Sequence, residues 1–151
     1  MEWVKLIGTL GTICAVFIAF WNYRKTQQRQ QSAEVLTKYA ERYEKVMSSF
    51  PPEAIIARLN SEGEPPKSTI ELKLAVLRYL NLCSEEYFLW CKGFISKAVW
   101  EIWSRELVRM LKTPLYIREW KNLKHEFDSY PEFQAYVDGV QAQVKENGTL
   151  S

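Results

Sequence analysis

A chain of 151 residues with 47% hydrophobic content has enough apolar material for one buried core and too little length for two full-sized domains. Its 20 lysines and arginines against 18 aspartates and glutamates leave a formal charge of +2, which excludes nucleic-acid binding by bulk field, since phosphate neutralisation needs a clustered basic face. The odd set Cys14, Cys83 and Cys91 forms no disulfide framework and reads as buried thiols of a reducing compartment.

No residue from Leu6 to Tyr23 is charged. At about 1.5 Å per residue that run spans roughly 27 Å, close to the hydrocarbon thickness of a bilayer, and predicts a transmembrane helix. Trp3 at one end and Trp21 with Tyr23 at the other place amphipathic rings at headgroup level, followed by Arg24, Lys25 and Arg29. On the short N-terminal side Lys5 is offset by Glu2, so the positive-inside rule puts the N-terminus outside a bacterial inner membrane and the C-terminal domain in the cytoplasm. A cleaved signal would end in small residues, whereas this run ends in Phe20-Trp21-Asn22-Tyr23. A soluble core helix would carry a polar stripe, but between Leu6 and Phe20 only Thr9, Thr12 and Cys14 are polar. Gly8, Gly11, Ala15 and Ala19 fall on one face of this helix, the small-xxx-small surface through which membrane helices approach closely, and predict a homo-oligomer.

Past the anchor, assigned to residues 1–25, no breaker interrupts the chain before Pro51-Pro52, and Val35, Leu36, Tyr39, Tyr43, Val46, Met47 and Phe50 recur at helical spacing. A short helical turn is expected around Ala54 to Leu59, then a loop from Ser61 to Lys67. Ser68 with Glu71 reads as a capping box, and Gly93 closes a central helix, apolar nearly all round, with Arg78, Asn81 and Glu85 as its polar seam. Another helix starts near Ser96 and carries Trp100, Trp103, Leu107 and Leu111; Thr113-Pro114 and Tyr130-Pro131 open two more, with Gly148 in the tail. The fold expected is all-α, a transmembrane helix continuing into an antiparallel helical bundle at residues 26–147.

Catalytic signatures are sparse. There is no Gly-rich phosphate loop, no CxxC and no HExxH, and the single histidine, His125, excludes a multi-histidine metal site; no cofactor or metal is expected. On the helix opened by Pro114, Tyr116, Trp120, Leu123 and Phe127 share the apolar face, and Arg118, Asn122 and His125 lie roughly opposite. Arg118-x6-His125 resembles the loose Arg-x4-6-His spacing of HEPN ribonucleases, which implies a phosphate-holding arginine and an acid–base histidine. The residue after the arginine departs from that family, being Glu119, whose charge opposes a phosphate. Glu85-Glu86 is no acid–base pair, because adjacent helix residues point about 100° apart; Glu85 reads as the partner of a core arginine. Trp90, Trp100, Trp103 and Trp120 sit at apolar-face spacings and read as core.

The landmarks from Asn81 to Trp90, then Gly93-Phe94-Ile95, Trp100-x-x-Trp103, Pro114, Trp120 and Tyr130-Pro131-x-Phe133 resemble small bacterial single-pass membrane proteins, over residues 1 to about 137. Among them is the CRISPR-associated membrane protein that accompanies type VI-B RNA-guided RNA nucleases. The resemblance implies a divergent HEPN-like cytosolic bundle whose oligomer forms a membrane pore in phage defence. The expected function is thus a non-enzymatic, membrane-anchored effector with the lipid bilayer, copies of itself and an RNA-guided nuclease or other defence protein as partners. A membrane-tethered HEPN-like ribonuclease and a scaffold recruiting a cytosolic partner are the alternatives.

Overall fold

Two prolines set the first boundary of the fold, because Pro51 and Pro52 lack the N–H groups that would continue a helix. The computed structural model describes residues 2–59 and 63–148, with side chains described for 18–23, 26–27, 33–58 and 63–144. Helix α1 runs Glu2–Met47 and unwinds through Ser48, Ser49 and Phe50; Pro52 then opens α2, Pro52–Leu59. After these come α3 (Ile70–Cys91), α4 (Lys97–Leu111), α5 (Pro114–Leu123), a 3-10 turn (Lys124–Phe127) and α6 (Pro131–Gly148), with no strand among the described residues. The chain is an all-α helical bundle.

The start of α3 corrects the capping-box expectation. Thr69, not Ser68, is the N-cap, its side chain accepting the Leu72 N–H at 3.2 Å. Ser68 instead donates its hydroxyl to Glu119 Oε2 at 3.2 Å, across to α5. A fully buried carboxylate has no water to turn to, and this demand outweighs a local cap. At the other end Gly93 adopts φ +71°, and the Gly93 and Phe94 N–H groups bond the Trp90 and Leu89 carbonyls, a Schellman closure.

Helix α3 is the hub, touching α1, α4, α5 and α6. Leu72, Val76, Tyr79, Leu80 and Cys83 are buried from it, and Leu107, Met110, Leu111, Leu115 and Tyr116 close over them from α4 and α5. Each leucine, valine or methionine among them contributes about 1.5 to 3 kcal/mol by leaving water. Tyr116, Trp120, Leu123 and Phe127 are all buried as their spacing foretold, although Phe127 belongs to the 3-10 turn. Trp120 and Phe133 meet edge to face at 6.3 Å, while Trp90 stacks on Trp100 at 5.7 Å.

Other expectations need correcting. Arg78, Asn81 and Glu85 are exposed on α3, so the polar seam faces water. Cys83 is buried but Cys91 is exposed. Among the described residues no helix is long and apolar enough to cross a membrane. The side chains of Trp3, Gly8, Gly11, Ala15, Arg24 and Lys25 lie outside the described residues, while Ile18, Ala19, Phe20, Trp21 and Tyr23 are exposed.

Candidate functional site

The histidine face does not come together as its spacing suggested. Helix α5 ends at Leu123, so the periodicity that aligned Arg118, Asn122 and His125 stops short of the histidine, which sits on the 3-10 turn. His125 is 70% exposed, with Nε2 at 3.1 Å from Glu126, and Asn122 is exposed as well. Arg118 is directed inward. Its Nε donates to Glu119 Oε1 at 2.8 Å and its Nη1 to the Pro66 carbonyl at 2.7 Å. Nη2 lies 2.7 Å from Glu119 Oε1, an ion-pair contact rather than a hydrogen bond. Glu119, the residue whose charge opposes a phosphate, is 0% exposed and takes up this guanidinium. Arg118 and Glu119 therefore fasten the loop before α3 to α5.

A more concentrated set of ionisable groups lies where α1, α3 and α4 meet. Arg42 on α1 and Glu85 on α3 form two parallel bonds, Nη1 to Oε2 at 2.6 Å and Nη2 to Oε1 at 2.8 Å, and the Tyr39 hydroxyl donates to the same carboxylate at 3.1 Å. Bonding from Arg42 holds the Glu85 carboxyl below its ordinary range. Glu85 thus has the arginine partner expected of it, at an exposed helix contact rather than in the core. Arg58 on α2 is the cation that reading missed. It donates to Glu106 Oε1 at 2.7 Å, to the Tyr43 hydroxyl and to the Met47 sulfur. Glu106 also receives Arg109 at 2.7 Å, and the two arginines, Arg109 foremost, hold its carboxyl low.

Between these clusters is a cleft of about 290 Å³, walled by Tyr39, Tyr43, Trp103 and Tyr79 with Glu86 facing into it. Glu86 is 8% exposed and has no hydrogen-bond or ion-pair partner among the described residues. Burial pushes its carboxyl up to about 8; Arg42 pulls it down slightly and Glu85 adds to the rise. Sequence reasoning set Glu86 aside with Glu85, yet the 100° between neighbours is what sends one to solvent and the other inward. Flanking Leu82 and Cys83, both buried, were the available signal. No group of three or more His, Cys, Asp or Glu side chains among the described residues is arranged to hold a metal.

Comparison with protein-family models, with curated proteins and with solved structures finds no match to this chain. The site must be read from its own chemistry.

Proposed function

We propose that the chain is a membrane-anchored homo-oligomer that acts without catalysis. In this reading residues 6–23 cross a bacterial inner membrane, the bundle stands on the cytoplasmic side, and the packed N-terminal helices form a pore or membrane-perturbing assembly in antiviral, CRISPR-linked defence. The observation that carries it is the continuity of α1, a single helix of 46 residues joining the uncharged run to the bundle. At about 1.5 Å per residue it is roughly 69 Å long, enough to cross a bilayer and still pack along α3. The Arg42–Glu85 clasp supports the same reading, because it fixes the direction of α1 against the bundle and so couples any movement of one to the other. The exposed Ile18, Trp21 and Tyr23 have an apolar and interfacial setting available to them in a membrane and none in the bundle. Arg118, engaged by Glu119 and Pro66, favours this reading over a ribonuclease, for which that guanidinium would have to be free to hold phosphate.

The test is assembly of the full chain in mild detergent, by light scattering. Gly11→Leu and Ala15→Leu prevent close approach of helix backbones and are expected to reduce the wild-type oligomer to smaller species. Unaltered assembly in both variants would remove the membrane helix as the organising contact. A reporter fused after Ser151 is expected to be active on the cytoplasmic side, given Arg24, Lys25 and Arg29; activity confined to the outside would reverse the topology.

A further inference from the structure

We propose that the cleft between α1, α3 and α4 is a binding site for a small aliphatic ammonium ion, held by the Glu86 carboxylate against the ring of Trp103. Three carboxylates lie in or beside this cleft, and two of them are already engaged. Glu85 is bonded by Arg42 and Tyr39, and Glu106 by Arg58 and Arg109. Glu86 alone of the three has no partner, although it is 8% exposed and faces the cavity. Glu86 is therefore the one carboxyl of the three still open to a cation, whose arrival would favour its ionised form.

The walls define which donor fits. Aromatic faces carry negative charge density and attract a cation within about 6 Å of the ring centre. Arg42 already lies 4.9 Å from the Tyr39 ring centre and Arg58 5.6 Å from that of Tyr43, which leaves Trp103, 5.3 Å from Tyr39 and tilted by 37° to it, as the lining ring to receive a further cation. A divalent metal would need about six oxygen ligands, which one free carboxyl and phenol hydroxyls do not supply. A neutral apolar molecule would fill the walls but leave Glu86 unbonded. An ammonium on a short hydrocarbon tail satisfies both, and about 290 Å³, just below the roughly 300 Å³ at which the range for drug-sized ligands begins, suits so small a molecule.

The same geometry gives the binding a proton signature. With the cleft empty, burial keeps Glu86 protonated near neutrality, its titration lying at about 8. The groups facing it are Tyr39, Tyr43 and Arg42 from α1, Tyr79, Cys83 and Glu85 from α3, Glu106 from α4, and Arg58 from α2 behind. Tyr39, Tyr79 and Cys83 are pushed up by burial, and Glu85 and Glu106 are held low by their arginines. A bound ammonium makes the ionised form of Glu86 the favoured one, so its entry expels the carboxyl proton to solvent.

Calorimetric titration of the full chain with n-butylammonium chloride, in two buffers of different protonation enthalpy, tests this. Saturable binding at one site per chain is expected, with release of close to one proton per cation at about pH 7 and tighter binding toward about pH 9. Glu86→Gln keeps shape and hydrogen bonding but removes the charge, and is expected to weaken binding at least about tenfold, as is replacing the cation by n-butanol on the wild type. Absence of saturable binding, undiminished affinity in a folded Glu86→Gln variant, or equal affinity for the alcohol would each overturn the proposal. The alcohol comparison needs no variant and decides the matter whatever the substitution does to folding.

Discussion

Arg42 and Glu85 join α1 to α3 through a two-pronged ion pair, with donor–acceptor distances of 2.6 and 2.8 Å. Both side chains are partly exposed, 39% and 46%, so screening limits what the pair contributes. Arg42→Ala is expected to lower stability by about 0.5 to 1 kcal/mol, the range for a well-formed exposed pair. The pair has an acid signature. Because the folded carboxyl of Glu85 titrates below its unfolded value, its contribution is present above about pH 4.3 and lost as pH falls through the folded value. Thermal unfolding from about pH 7 to about pH 2 should show a shallower acid decline in Arg42→Ala than in the wild type.

The next residue has the opposite sign. Glu86 titrates at about 8 in the folded chain, above its unfolded value, so its own contribution to stability is greatest below the unfolded carboxyl range and falls as pH rises to about 8. At about 1.36 kcal/mol per unit, the penalty at alkaline pH is on the order of 3 to 5 kcal/mol. Glu86→Gln should therefore raise the melting temperature at about pH 8 and leave it nearly unchanged at about pH 4. A gain equal at both values would mean that the carboxyl is hydrated in the folded state.

Two glycines separate backbone from packing effects. Neither has a neighbour within 4 Å of an added Cβ, but Gly93 has φ +71° while Gly139 lies within α6. Gly93→Ala should destabilise by about 1 kcal/mol or more, from the left-handed conformation. Gly139→Ala should stabilise by about 0.5 to 1 kcal/mol, from helix propensity. Chemical denaturation gives both values, and the same sign for the two would contradict the assignment of Gly93 as the closing residue of α3.

Arg118 and Glu119 are expected to differ in the direction that burial dictates. Removing the guanidinium strands a carboxylate that is 0% exposed, whereas Glu119→Gln leaves an arginine with 30% of its side chain in water. Arg118→Ala should cost about 3 to 5 kcal/mol and Glu119→Gln about 1 to 2. His125→Gln, at an exposed position, should be nearly silent in stability and in function. A folded His125→Gln protein that assembles normally yet loses all protective activity would point to proton chemistry and to the ribonuclease reading.

The bundle was legible because its punctuation is local. Pro51-Pro52, Gly93, Ser96, Pro114 and Pro131 each act through their own backbone and fix helix ends to within a few residues. Ser68 misled because its hydroxyl answers Glu119, fifty-one positions away, and no local pattern announces that partner. His125 misled for a related reason: a helical wheel assumes one continuous helix, and the chain tightens into a 3-10 turn after Leu123. The cleft was invisible for a third reason. Glu86 is surrounded by residues from three helices, and which of two adjacent glutamates faces inward depends on the rotation of α3, set by Leu82, Cys83 and the packing of α4.

The most direct test of a membrane-perturbing oligomer is dye release from liposomes of inner-membrane lipid composition carrying the purified full chain. Release is expected to rise with protein-to-lipid ratio more steeply than linearly, to be lost in Gly11→Leu and Ala15→Leu, and to persist in His125→Gln. Liposomes that retain their dye, although the chain is inserted in them and oligomeric, would contradict the central claim.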